Sequence, residues 1–146
     1  MKMKIRQKDT EQWLENLNSM KALELYRKYK TEIKQETWHD NTEGSSLMMR
    51  ARTQTLQLNW RNRHRGKATQ CPACNHEEET QQHFILYCTA YDNIRRFNLV
   101  NSDQSEEDKL AEILLLKNNE KTEQKKRFLK QIWHKRRQII KTQTTQ

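Results

Sequence analysis

Cys71, Cys74 and Cys88 are the only cysteines in the chain, and its only proline, Pro72, stands between the first two. With His83 they form the pattern Cys71-x2-Cys74-x8-His83-x4-Cys88. Three cysteines leave one thiol over in any disulfide scheme, whereas three thiolates and an imidazole are the Cys3His donor set of tetrahedral zinc. A Cys-x2-Cys turn can aim two sulfurs at one ion. Pro72 stiffens that turn, and Asn75 tolerates the left-handed backbone such turns often need. His83 and Cys88 stand five apart, so a helix carrying both must end or bend near Cys88 to face one ion. His76 is a weaker alternative ligand, because Cys-x2-Cys-x-His leaves too little chain to wrap the metal. The plain alternative is three buried cysteines beside a core histidine, but chance rarely gathers every thiol at this spacing. Four protein donors leave no open position, so the expected zinc is structural rather than catalytic. It would contribute folding free energy on the order of 10 kcal/mol at neutral pH. The acidic run Glu77–Glu79 reads as a solvated loop, with an outer-shell contact to the site as its alternative reading.

A staple matters because the remaining chain offers little to bury. Of 146 residues, 33% are hydrophobic and 32% charged, a thin core for this length. Two glycines and one proline give little turn chemistry, which argues for helices over a β-sandwich. Apolar spacing predicts a helix over Lys21–Ile33 behind Ser19 as its cap, with a short helix around Trp13, Leu14 and Leu17 before it. His39–Gly44 reads as a loop. Ser45 or Ser46 then caps a helix with Leu47, Ala51, Thr55 and Leu58 on one face. Thr80 is placed to cap a helix through His83 and Cys88 that continues or resumes through Tyr91, Ile94 and Phe97. Ser105 followed by Glu106, Glu107 and Asp108 is a helix start of the capping-box kind. The last helix, Thr122–Lys141, carries Phe128, Leu129, Ile132, Trp133, Arg136, Ile139 and Ile140 on one stripe, before a frayed tail. The expected architecture is mostly α: a small helical domain stapled by a CCHC structural zinc knuckle, followed by a C-terminal helical hairpin. Residues 1–44 form an N-terminal helical segment, 45–100 the helix plus knuckle, and 101–146 the basic hairpin.

Lys and Arg number 28 against 19 acidic residues, a net charge of +9. That excess favours polyanions, chiefly nucleic acid. No apolar run approaches the ~20 residues that span a bilayer, and the N-terminus lacks a signal-peptide core, so no membrane partner is expected. Unpaired thiols suit a reducing, intracellular compartment, and the nucleus is compatible with the charge. Two basic tracts frame the cysteine segment. The first, Arg50, Arg52, Arg61, Arg63, Arg65 and Lys67, contains no acid; the second includes Lys125, Lys126, Arg127, Arg136 and Arg137. Arginine suits phosphate contacts, and Trp60 could stack on an unpaired base or plug the zinc lobe. Arg50 and Arg52 could equally pair with Glu32, Glu36 or Asp40, and Trp133 reads as core.

The string from Ser45 to Cys88 resembles the segment that follows the polymerase in non-LTR (LINE-type) retrotransposon reverse transcriptases. The matching features are Ala51-Arg52-Thr53, a basic stretch, Cys71-Pro72-x-Cys74, Glu78-Glu79-Thr80, and His83-Phe84 followed by Cys88. Leu23 to Tyr26, Tyr91 and Arg95 are similar in the flanks. The resemblance covers about residues 20–97 and implies a zinc knuckle that helps position template RNA or target DNA. The gap before the histidine is longer than in retroviral knuckles. No Tyr-x-Asp-Asp polymerase motif occurs, so the chain is expected to be a C-terminal piece of a longer protein or a free-standing descendant. His39-Asp40 and His64 suggest a nuclease, but the acids are too dispersed to hold magnesium together, and an enzyme is not expected. The expected function is a nucleic-acid-binding module with Zn2+ as cofactor. The alternative is a protein-interaction or self-association module, using Ile113–Leu116 with Phe128, Leu129, Ile132 and Trp133.

Overall fold

A computed structural model describes residues 2–30, 32–33, 36–95, 103–114 and 121–146. Among these the chain is helical and contains no strand. Helix α1 spans Lys2–Ser19; a 3-10 turn, Lys21–Leu23, leads into α2, Glu24–Tyr29. Ser19 does not cap the second helix. It lies in the last turn of α1, where its hydroxyl donates back to the Asn16 carbonyl at 2.7 Å. The predicted helix is also shorter than its apolar spacing suggested, and Ile33 is exposed.

Helix α3 runs Glu43–Arg52, earlier than the sequence pattern placed it. Its cap is Thr42, whose hydroxyl oxygen accepts the Ser45 N–H at 3.3 Å. Asp40 buttresses this cap by accepting from the Thr42 N–H, the Thr42 hydroxyl and the Ser45 hydroxyl. Gly44, expected in a loop, lies in the first turn of α3, and α6 passes so close there that a Cβ at Gly44 would sit 2.9 Å from Lys126 Cβ. The helix stops at Arg52 in a Schellman turn. Thr55 N–H donates to the Arg50 carbonyl at 2.8 Å and Gln54 N–H to Ala51 at 3.2 Å, with Gln54 itself left-handed at φ 55°. Thr55 and Leu58 therefore lie outside the helix.

A 3-10 turn over Asn59–His64 precedes the cysteine segment. A π-helical turn, His83–Tyr87, follows it, then a 3-10 turn, Thr89–Tyr91, and the short α4, Asp92–Arg95. The expected continuation to Phe97 falls outside the described residues. Helix α5, Glu106–Leu114, starts as its sequence signature predicts: Ser105 Oγ accepts the Asp108 N–H at 3.2 Å and donates to its carboxylate at 2.6 Å. Leu115 and Leu116 lie outside the described residues. Helix α6, Thr122–Thr144, reaches into the tail expected to fray.

The main helix–helix packing joins α3 and α6, with α5 also against α3. Helix α6 is thus laid along the helix that precedes the cysteines, a packing that the sequence pattern left open. One apolar cluster runs from Leu25 and Trp38 through Leu47, Met48 and Ala51 of α3. It continues through Phe84, Ile85 and Tyr91 to Ile113, Leu114, Phe128 and Ile132. Phe84 and Tyr91 meet edge to face at 5.4 Å, and Phe84 meets Trp133 of α6 at 6.0 Å. No helix among the described residues is long and apolar enough to cross a membrane.

Candidate metal centre

The ligand atoms of Cys71, Cys74, His83 and Cys88 all lie within 4.8 Å of one another. Each is delivered by a local device. In the Cys-x2-Cys turn, Asn75 N–H donates to the Cys71 carbonyl at 2.9 Å and Asn75 takes the left-handed φ of 62°. Cys71 N–H then bonds the His76 carbonyl at 2.9 Å, folding the turn back on itself. His83 starts from a capped turn, its N–H donating to Thr80 Oγ1 at 3.1 Å. The five-residue gap to Cys88 is closed by π winding: the Cys88 N–H reaches the His83 carbonyl at 2.7 Å, a hydrogen bond one residue longer than an α-helix makes. This widened turn is the bend that the spacing required. Arg95 locks its far end by donating to the carbonyls of Ile85 at 3.0 Å and Cys88 at 3.1 Å.

The donor set fits a tetrahedral cation. Sulfurs about 2.3 Å from such an ion stand about 3.8 Å apart; Cys71 Sγ and Cys88 Sγ are separated by 3.7 Å. That distance is far beyond the ~2.05 Å of a disulfide. Cys74 Sγ lies 3.2 Å from His83 Nε2, somewhat inside the ~3.6 Å edge for a sulfur and a nitrogen. Cys71 and Cys88 are buried, while Cys74 borders an open cleft that it shares with His76, His83 and Tyr87. His76 stacks on the His83 ring at 4.4 Å without joining the cluster.

The electrostatics favour a cation. The hydrogen bond from Cys88 holds the Cys71 thiol down at about 4, helped by the backbone N–H groups of Ala73 and Cys74 and opposed by burial. The same contact, with burial, pushes Cys88 well above the ordinary thiol range. Two thiols this close hinder the ionisation of both together, and a divalent ion between them would favour both thiolates by displacing their protons. The Tyr91 hydroxyl is buried close enough to feel both sulfurs and has no hydrogen-bond partner among the described residues.

Glu79 is not on a solvated loop. Its carboxylate is fully buried, accepting the Asn59 N–H at 2.7 Å and two bonds from Arg136, Nε at 2.6 Å and Nη2 at 2.7 Å. Its backbone pairs with Thr69 and Trp60. One side chain thereby ties the arginine-rich turn, the cysteine segment and α6 together. Glu77 and Glu78 are exposed. Nothing in the composition of the Glu77–Glu79 run marks its last member. The available signal was Arg136, a cation on an apolar stripe that needs an anion buried with it.

The basic residues divide sharply. Arg52, 2% exposed, donates to the Leu114 carbonyl and to both oxygens of Glu36, and lies 4.5 Å from the Trp38 ring. Lys125 is buried against the Glu112 carbonyl, Lys126 against Asp40 and Glu123, and Arg136 against Glu79. These four cations are engaged inside the fold and present no charge to a surface ligand. Arg50, Arg63, Arg65, Lys67, Arg127 and Arg137 are exposed and Arg61 half-buried. Arg137 stands 4.0 Å from Glu43, whereas Arg50, Arg61, Arg63, Arg65 and Lys67 pair with no carboxylate among the described residues. Trp60 packs partly on the core with the Arg63 guanidinium 4.1 Å from its ring. Of the residues that suggested catalysis, Asp40 serves the α3 cap, His39 stacks on Trp38 at 5.5 Å, and His64 lines a cleft with Trp60.

Set beside known proteins, the chain matches no family model, no curated protein and no solved structure.

Proposed function

We propose that this chain is a nucleic-acid-binding module stapled by structural zinc, derived from or equivalent to the region following the polymerase in non-LTR retrotransposon proteins. Cys71, Cys74, His83 and Cys88 would hold the zinc, which supplies folding energy and no chemistry, since four protein donors leave it no substrate position. On this reading the module is a binder rather than an enzyme and works in a reducing, intracellular compartment.

The observation that carries the reading is the unpaired basic ridge from Arg61 to Lys67, mounted directly on the metal lobe. Asn59 Nδ2 donates to the Gln70 carbonyl at 2.7 Å and Asn62 Nδ2 to Ala68 at 3.1 Å, so the ridge is braced at both ends. Cations left without carboxylates on a rigid base are suited to phosphates, because little side-chain pairing must break before they bind. The C-terminal helices favour the alternative less: Ile113, Leu114, Phe128, Leu129 and Ile132, which were to meet a partner, are buried within this chain.

Two measurements test this. Native mass spectrometry before and after EDTA, with circular dichroism alongside, is expected to find one zinc per chain and a loss of helicity on chelation. Zinc-free protein of unchanged helicity would remove the staple. In titrations with labelled oligonucleotides, Arg61, Arg63 and Arg65 replaced together by Ala should weaken binding tenfold or more. The slope of log K against log salt should flatten by about 2 for a single strand. Unchanged binding would exclude the ridge.

A further inference from the structure

Resting on the nucleic-acid reading above, we infer that the ridge grips unpaired rather than duplex nucleic acid, with one base held in the cleft beside Trp60. That open cleft, of about 450 Å3, is lined by Lys21, Gln54, Thr55, Trp60, Arg61 and Arg63 among others. Its size is within the ~300–1,000 Å3 of ligand sites, and none of its lining residues is acidic.

The 3-10 winding of Asn59–His64 organises it. With three residues per turn, positions three apart lie above one another, so Trp60 aligns with Arg63 and Arg61 with His64. The Arg63 guanidinium carbon lies over the indole at 4.1 Å from its centroid, so the two kinds of side chain on which unstacked bases lie, an aromatic ring and an arginine, meet in the cleft wall. Arg61 and Lys21 place positive charge at the walls of the cleft, where a backbone would enter and leave. In a duplex the faces of the bases are covered by their neighbours, and an indole set in a cleft meets none of them. Only a splayed base reaches it.

Gln54 gives an independent reason to see a ligand here. It occupies the left-handed position of the Schellman turn that ends α3, at φ 55°, a place where glycine or asparagine is the unstrained choice. A glutamine there costs stability, and it is one of the residues that line the cleft, its backbone carbonyl accepting from Arg61 at 3.4 Å. An amide beside a stacking platform can hydrogen-bond the edge of a base. Strain of this sort collects at binding sites, where it is retained for the contact it provides.

The test uses the 146-residue chain, in zinc-containing buffer, with fluorescein-labelled 12-nucleotide single strands of RNA and DNA and blunt duplexes of the same sequence. The expected results are tighter binding of the single strands and a roughly tenfold or greater loss of single-strand affinity in Trp60→Leu. The salt slope should stay as in the parent, because no phosphate contact is removed. Trp60→Phe should recover most of the affinity, and a circular dichroism spectrum and melting temperature of Trp60→Leu close to the parent's separate lost stacking from misfolding. Gln54→Gly should unfold at equal or higher temperature yet bind the single strand more weakly. Equal affinity for both forms, or Trp60→Leu weakening both alike, overturns the inference while leaving the basic ridge as a phosphate-binding surface. Absence of binding to any of the four probes overturns it together with the reading on which it rests.

Discussion

Glu79 shows how much one side chain decides in a chain this polar. A carboxylate with no exposure is tolerable only because Arg136 meets it with two hydrogen bonds and the Asn59 N–H supplies a third. Removing one partner of such a pair leaves an uncompensated buried charge, which costs far more than the pair contributes. Glu79→Gln is therefore expected to destabilise the protein by about 3–5 kcal/mol in urea unfolding. Combining it with Arg136→Met should recover part of that loss, because neither charge is then stranded. Additive losses would mean that the two residues act separately. The same logic explains why four cations expected at the surface, Arg52, Lys125, Lys126 and Arg136, are found inside: each has an anion or a carbonyl waiting. Charge composition could not distinguish them from Arg63 or Lys67, because each has a partner far away in sequence: Leu114 for Arg52, Glu112 for Lys125, Asp40 for Lys126 and Glu79 for Arg136.

At the scale of the element, the start of α3 is governed by Asp40 and Gly44. The hydroxyls of Ser45 and Thr42, and then the Lys126 ammonium, hold the Asp40 carboxyl well below the usual carboxylate range. A depressed carboxyl contributes stability above its unfolded value of about 3.9, and the contribution is lost as pH falls from there toward the folded value. Asp40→Asn should accordingly lower the melting temperature at pH 7 and flatten its decline between about pH 4 and pH 2. A parallel decline in parent and variant would show that this carboxyl is not responsible. Gly44→Ala presents a contest between helix propensity, worth up to about 1 kcal/mol in favour of alanine, and contact with Lys126. The Lys126 Cβ, 2.9 Å from the new methyl, is anchored to the backbone of α6 and cannot swing away. Overpacking of this kind costs about 1–3 kcal/mol, so the variant should be less stable in thermal unfolding; a stabilised variant would show that α6 can move aside. The π turn at His83–Tyr87 belongs to this scale as well. Its need was legible, since a gap of five between candidate ligands requires extra winding, but its form was not, because the π turn is held by the clamp of Arg95 on the carbonyls of Ile85 and Cys88.

For the whole molecule, the continuous core from α2 to α6 implies a single cooperative unit. Urea transitions followed by tryptophan fluorescence and by far-ultraviolet circular dichroism should coincide; separated transitions would make α6 an independent piece. Several features followed from the chain alone. Helical class, the Ser105 start, the Thr80 cap and the four clustered ligands rest on short-range rules: side-chain periodicity, a hydroxyl three residues from an amide, thiols at fixed spacing. Their partners lie within a few turns of chain, so local order carries them. The true ends of α3, the placing of α6 along α3 and the burial of Glu79 followed no such rule. Thr42 is chosen over Ser45 because Asp40 and Lys126 support it, and α6 crosses at Gly44, where no side chain stands in its way. The first of the three rests partly, and the other two wholly, on contacts between residues that only folding brings together. In a chain with so little apolar surface, the tertiary structure decides which charges become internal cement and which remain free to bind.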